Sequence, residues 1–182
     1  MNTPEQVARM KDGSQELIDA ASLSGHAVVA GYGLPGRAVG DLLRSRNIPF
    51  CVIELNAGTV RRCELVVPII EGDVIQEDTL RRAGIERSWL LALTVPSDGA
   101  VLQAIAIARR LNPKIHIVAR CRFISSGMQA HRAGANEVIV EEQAVASEFV
   151  KVIGARPGLA VAQDRGKGQE PGCQGSAVSK GK

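Results

Sequence analysis

From residue 26 onward, short apolar runs alternate with amphipathic stretches, and this alternation restricts the fold more than any other feature of the chain. The runs are Ala27 to Ala30, Phe50 to Glu54, Val66 to Ile70, Trp89 to Thr94, Ile115 to Ala119 and Glu137 to Val140. Between them, helical spacing occupies Gly36 to Arg46, Ala57 to Cys63, Glu77 to Ala83, Asp98 to Leu111, Ser125 to Ala133 and Gln143 to Ile153. Strands that are apolar almost throughout, separated by helices, predict a parallel sheet covered on both faces. Right-handed crossovers turn this into an α/β, Rossmann-like doubly wound sheet of order 3-2-1-4-5-6.

The ends of the chain read differently. Residues 3 to 23 open like a helix, with Thr3 as cap, Pro4 in the first turn, Gln6 closing a capping box, and a modest stripe of Val7, Met10, Leu17, Ile18 and Leu23. After Ile153 the composition shifts to glycine, proline and polar residues, so residues 154–182 are expected to be a disordered tail. The expected organisation is an N-terminal helical segment (1–24), a nucleotide-binding domain (25–153) and the tail (154–182). In that tail Arg156, Arg165, Lys167, Lys180 and Lys182 face only Asp164 and Glu170, which accounts for the whole formal charge of +3. The body is therefore neutral, and a phosphate-tracking face for nucleic acid is not expected.

The N-terminus lacks the pattern of a secretory leader, and no apolar run reaches the ~18 residues that a membrane span requires. A cytoplasmic protein is expected. Its 4 cysteines (Cys51, Cys63, Cys121 and Cys173) have no zinc, redox-pair or haem spacing and read as reduced thiols. Three of them lie in or near apolar segments, where cysteine packs as a small hydrophobe.

Gly31, Gly33 and Gly36 form G-x-G-x-x-G after the first strand and at the start of the first helix of the sheet. Alone this pattern is weak, because glycines gather at ordinary strand-to-helix turns. In this setting the first glycine permits a tight turn, the second lets phosphate approach the backbone, and the third lets the helix lie against the sheet. The helix start then offers unpaired N–H groups to a pyrophosphate. Glu54 ends the second strand, where a carboxylate accepts hydrogen bonds from a ribose diol. An acid there disfavours a 2′-phosphate, so NAD or an adenine nucleotide (ATP, ADP or AMP) is expected over NADP. The plainer alternative for Glu54 is an exposed carboxylate at a strand end.

An oxidoreductase needs in addition a proton-transfer group and a substrate pocket. The single tyrosine, Tyr32, lies within the glycine loop, which rules out a Tyr-x-x-x-Lys pair. His26, His116 and His131 sit where a structural or solvated role is the simpler reading, and no G-x-S-x-G, H-E-x-x-H or metal-loop spacing occurs. No catalytic and no metal-ligating residues are assigned. The alternative is an NAD-dependent oxidoreductase fragment lacking its substrate domain, with Cys121, Arg122 and Ser97 as the nearest proton donors. A scaffold that has kept the fold and lost its ligand is a third reading.

The segments "HAVVAGYGLPGRAVGDLL", "CVIELN", "IIEGDVIQEDTLRRAGIERS", "ALTVPSD", "AIAIARRLNP", "IVARCRF" and "RAGANEVIVEEQAVASEF" together resemble a known family. It is the N-terminal nucleotide-binding lobe of regulator of potassium conductance (RCK) domains, also called the TrkA N-terminal domain, and the likeness covers roughly residues 25 to 153. "GYGLPG", "VIELN" and "ARC" look most like the cytoplasmic domains of Kef-type cation/proton antiporters. The resemblance implies a switch rather than a catalyst, a domain on the cytoplasmic side of a membrane-embedded potassium channel or antiporter whose shape is biased by bound nucleotide.

Residue by residue, the resemblance puts a pyrophosphate at Gly31, Tyr32, Gly33, Leu34, Pro35 and Gly36, and the ribose at Glu54, with Leu55 and Asn56 near the adenosine. Gly72, Asp73 and Val74 fall at the family's adenine-side turn; Thr94, Val95 and Pro96 close the other side of the crevice. Arg120 matches a basic position near the phosphates. Bottom-up, residues 72–73 and 94–96 follow strand carboxyl ends, where open α/β sheets bind ligands. Gly-Asp is also ordinary turn chemistry, and Arg120 could instead pair with a surface carboxylate.

The chain departs from the family at Leu34, where some relatives carry an arginine facing the terminal phosphate of ATP, which weakens a triphosphate reading. Neither a second RCK lobe after Ile153 nor a fused membrane domain is expected, so a separate regulatory subunit is the expectation. A homodimer or higher oligomer is implied by the family. Val145, Ala146, Phe149, Val150 and Ile153 would line one face of the last helix, either as core or as a surface packed across a two-fold axis.

Overall fold

The computed structural model describes residues 23–63 and 67–156. The expected helix at residues 3–23 and all but the first residues of the expected tail, with Cys173, lie outside them. The elements are β1 (Ala27–Ala30), α1 (Leu34–Ser45), β2 (Phe50–Glu54), α2 (Ala57–Cys63), β3 (Ile69–Glu71), α3 (Glu77–Arg82), a 3₁₀ turn (Ile85–Arg87), β4 (Leu90–Leu93), α4 (Asp98–Leu111), β5 (His116–Cys121), α5 (Ile124–Ala133), β6 (Glu137–Val140) and α6 (Glu141–Gly154).

All strand pairs are parallel, and the sheet order is β3-β2-β1-β4-β5-β6, as the alternation of apolar runs and helices predicts. Alternate residues of the central strands face opposite sides. Val28, Ala30, Cys51, Ile53, Leu91 and Leu93 pack with Leu80 of α3, Val101 and Ile105 of α4 and Ala130 of α5. Ala27, Val29, Phe50, Val52 and Ala92 pack on the other face with Tyr32 and Leu43.

Among the described residues, coverage of both faces holds for the middle of the sheet and fails at one side. Along β5 the odd residues Ile117, Ala119 and Cys121 are buried whereas His116, Val118 and Arg120 are only half-buried; in β6, Glu137 and Ile139 are exposed. The crossovers from β4 to β5 and from β5 to β6 run outward in the same direction, so their right-handedness puts α4 and α5 on one face.

Strand boundaries shift where backbone donors decide them. The third strand begins at Ile69, because Pro68 has no N–H for the ladder and contributes only its carbonyl, which accepts from Val52 N at 2.8 Å; the expected start at Val66 lies outside the described residues. The fifth extends to Cys121, two residues beyond its apolar run, because β6 pairs with Arg120 and Cys121. The chain divides into two compact units, ending at Ala144 and starting at Val145. In the second, the described residues continue α6 to Gly154 with Val145, Phe149, Val150, Val152 and Ile153 exposed.

Candidate nucleotide-binding site

Strand register aligns the expected site residues before any side chain is considered. Ala30 pairs with Ile53 and Leu93, Ile53 with Ile70, and Leu93 with Ala119. One step further along each chain come Gly31, Glu54, Glu71, Thr94 and Arg120, which therefore form a row at the carboxyl edge of five strands. β1 and β4, where the order reverses, are its centre.

The glycine loop departs from β1 at Gly31, whose φ of +89° lies in the left-handed region. A Cβ on Gly36 would stand 2.0 Å from the Gly31 carbonyl oxygen, so only glycine lets α1 start this close to the strand. Gly33 is the opposite case: it is the N-cap of α1, is exposed, and a Cβ there would have nothing within 4 Å. Space beside its backbone is open, as an approaching phosphate requires. Leu34 projects into solvent at 78% exposure, and Pro35 sits in the first turn without costing a hydrogen bond.

Glu54 shapes this loop. Its Oε2 accepts the Tyr32 amide at 2.7 Å and its Oε1 accepts the Asn56 amide at 2.8 Å. The carboxylate thus ties the glycine loop to the start of α2, with lone pairs left on both oxygens. The Tyr32 ring is buried with Phe50 and Val52, so neither its side chain nor its N–H faces outward. Leu55 and Asn56 are exposed beyond β2, and Asn56 Oδ1 accepts from Thr59 N at 3.0 Å, opening α2.

At the β3 end, Gly72 is held by packing: a Cβ there would come 2.7 Å from Thr79 Oγ1. Asp73 Oδ1 accepts the Ile75 amide at 3.2 Å, an Asx turn. Val74 is buried in the core, so only its backbone is available toward a ligand. Across the switch point, the Thr94 hydroxyl lies 3.0 Å from the Ala30 carbonyl oxygen and 2.9 Å from that of Gly31, sharing its proton between them. Val95 packs against the core and Pro96 is exposed.

Arg120 does not stand open. Its Nη1 donates to the Thr94 carbonyl at 3.1 Å and its Nε donates to Glu141, the first residue of α6. Sequence reasoning missed Glu141, and it missed Asp98, whose Oδ1 accepts the Arg122 amide at 3.0 Å and joins the starts of α4 and α5. Burial raises the Asp98 pKa, but hydrogen bonds from the Ser126 hydroxyl and the Arg122 amide outweigh it and hold the group below the ordinary aspartate value. Cys121 is fully buried, and burial with the neighbouring Asp98 pushes its thiol up, so it is held as a protonated thiol away from the surface. Among the described residues no group of three or more His, Cys, Asp or Glu side chains is placed to hold a metal, and no helix is long and apolar enough to cross a membrane.

Residues 27–141, from the first strand through the row of strand ends, match the family model of the TrkA-N domain. The chain belongs to this family. It is 32% identical over 125 residues to a putative K(+) efflux antiporter KefB of Alkalimonas amylolytica, covering 68% of this chain and 19% of the antiporter. The crystal structure of the TrkA-N domain of inner membrane protein ybaL from Escherichia coli superposes with a TM-score of 0.70 at 29% identity, covering 72% of this chain and 98% of that one. A GsuK channel bound to NAD shares the fold, with a TM-score of 0.60 at 21% identity over 65% of this chain and 22% of the channel. The chain thus spans about a fifth of the length of the antiporter it matches. This TrkA-N domain is similar to parts of potassium-transport proteins and has a Rossmann-like fold.

Proposed function

We propose that this TrkA-N domain senses NAD(H) or an adenine nucleotide at the carboxyl edge of its sheet and, without chemistry of its own, regulates a potassium channel or cation/proton antiporter from the cytoplasmic side. One observation carries the reading: Gly36 is locked against Gly31 while Gly33 beside it is open, a backbone cradle already shaped and held by Glu54. The phosphates would lie on the loop from Gly31 to Gly36, the ribose on Glu54, and the adenine between residues 55–56 and 72–74. The likeness to the KefB antiporter and to the NAD-bound GsuK channel supports both ligand class and partner.

Residues 25–153 would form the sensing domain, flanked by the segment 1–24 and the tail 154–182. The chain would work as a homodimer or higher oligomer, which the exposed Val145, Phe149 and Val150 of α6 support. The test is unfolding of the folded protein with NAD, NADH, AMP, ADP or ATP. A true ligand at 100 times its Kd adds about 2.7 kcal/mol to stability. A flat response to all five refutes the proposal, and native mass spectrometry of gently purified protein reports retained nucleotide and subunit count together.

A further inference from the structure

We propose that Glu141 is an internal occupant of the phosphate site. Its carboxylate holds the Arg120 guanidinium until a nucleotide phosphate replaces it, and binding thereby releases the first turn of α6. The inference rests on the nucleotide-sensing reading above, which puts Arg120 near the phosphates, and adds the competitor for that arginine and the consequence of exchange.

The placement follows from register. Arg120 pairs with Ile139 across the β5–β6 ladder, and Glu141 lies two residues beyond Ile139, so strand periodicity brings it to the same face as Arg120. The two side chains meet at the edge of the sheet, 26% and 36% exposed, within reach of solvent and of a solute.

Arg120 is also the last member of a hydrogen-bonded chain that begins in the glycine loop. The Ala30 and Gly31 carbonyls accept from the Thr94 hydroxyl, and the Thr94 carbonyl accepts from Arg120 Nη1. The guanidinium is therefore anchored toward the cradle on one side and held by Glu141 on the other. Its Nη2 makes no hydrogen bond among the described residues. A guanidinium recognises phosphate with the same N–H geometry as carboxylate, and a phosphate brings more charge and more acceptor oxygens. Nε and Nη2 form the edge on which a phosphate binds in bidentate fashion, and Glu141 holds Nε, so the incoming phosphate displaces it. Glu141 opens α6, and the next amide, Glu142 N, donates to the Arg122 carbonyl at 3.3 Å, so the Arg120 ion pair is one of the contacts that fix this turn.

The experiment titrates ADP and adenosine by calorimetry into the full chain, into Glu141→Gln, into Arg120→Gln and into the double variant, each first checked for its wild-type urea midpoint. Hydrogen exchange at residues 141–144 is followed with and without ADP. Glu141→Gln is expected to tighten ADP roughly two- to fivefold, the worth of an exposed ion pair, and to leave adenosine unchanged. The gain should vanish in the Arg120→Gln background. ADP should speed exchange at Glu142 in the wild-type chain.

Unchanged ADP affinity in Glu141→Gln, with the wild type binding, overturns the inference and leaves the sensing role standing. The same gain without Arg120 also overturns it, since the effect is then general repulsion. Slower or unchanged exchange at Glu142 on ADP binding does so too. ADP binding by Glu141→Gln but not by the wild type supports it. Binding by neither refutes the sensing role and this inference together.

Discussion

Gly33 and Gly36 differ by one turn of backbone and should respond in opposite ways to the same added methyl. At Gly36 the new Cβ would lie 2.0 Å from the Gly31 carbonyl oxygen and 3.0 Å from Thr94 Oγ1. An ordinary carbon–oxygen contact needs about 1.2 Å more, and the obstacle is backbone, so α1 must lift from β1. Such overpacking costs about 1–3 kcal/mol or more, against a helix-propensity gain of at most about 1 kcal/mol.

At Gly33 nothing lies within 4 Å and φ is −68°, which alanine adopts freely. Losing glycine as N-cap costs about 0.5–1 kcal/mol, and the reduced entropy of the unfolded chain returns about 0.4–1 kcal/mol, so Gly33→Ala should be nearly neutral for folding. The methyl would occupy the space a phosphate must enter. Urea unfolding and calorimetric titration with NAD and ADP separate the two effects: Gly36→Ala should lose about 2 kcal/mol of stability, and Gly33→Ala should keep its midpoint and lose binding at least tenfold. Wild-type affinity in Gly33→Ala, or wild-type stability in Gly36→Ala, refutes the reasoning.

Replacing Glu54 by Gln leaves one of the amides of Tyr32 and Asn56 facing an NH₂ group, and should weaken NAD binding while costing about 1–2 kcal/mol by urea unfolding. His26 is fully buried with Nε2 2.8 Å from the Ala83 carbonyl and no partner at Nδ1 among the described residues; burial, with Arg87 adding to it, holds its pKa below 6.5 despite that carbonyl. The unfolded chain then binds the proton that the folded one refuses, so stability should fall as pH drops below about 6.5, and His26→Gln should flatten this slope in urea midpoints between pH 5 and 8. Burial pushes the Cys51 thiol up to about 12, so iodoacetamide at pH 8 should spare it in the folded protein and alkylate it after denaturation, as peptide mass mapping can show.

The strands, their order and the glycine loop were legible because their signals are local: apolar runs, helical spacing, and three glycines in one turn. Glu54 could be placed from its distance to the loop, but not its two hydrogen bonds, which exist only once Tyr32 is folded back across β2. A carboxylate partner for Arg120 is one of the two sequence readings, but Glu141 could not be named as that partner, because 21 positions separate the two and only the β5–β6 ladder brings them together. Asp98 and Arg122 met for the same kind of reason, across two strand-to-helix turns. Val74 was placed by analogy at a turn, and its apolar side chain went to the core, where burial stabilises it most.

The order of the strands has a mechanical consequence. β1 to β3 lie on one side of the sheet's midline and β4 to β6 on the other, and the chain crosses that midline once, between β3 and β4. Within the sheet the two halves meet along one four-rung seam, Ala27 to Ala30 against Leu90 to Leu93. A solute lying over the end of that seam would touch both halves at once, so its hold would depend on the spacing between them as well as on the chemistry of any single residue.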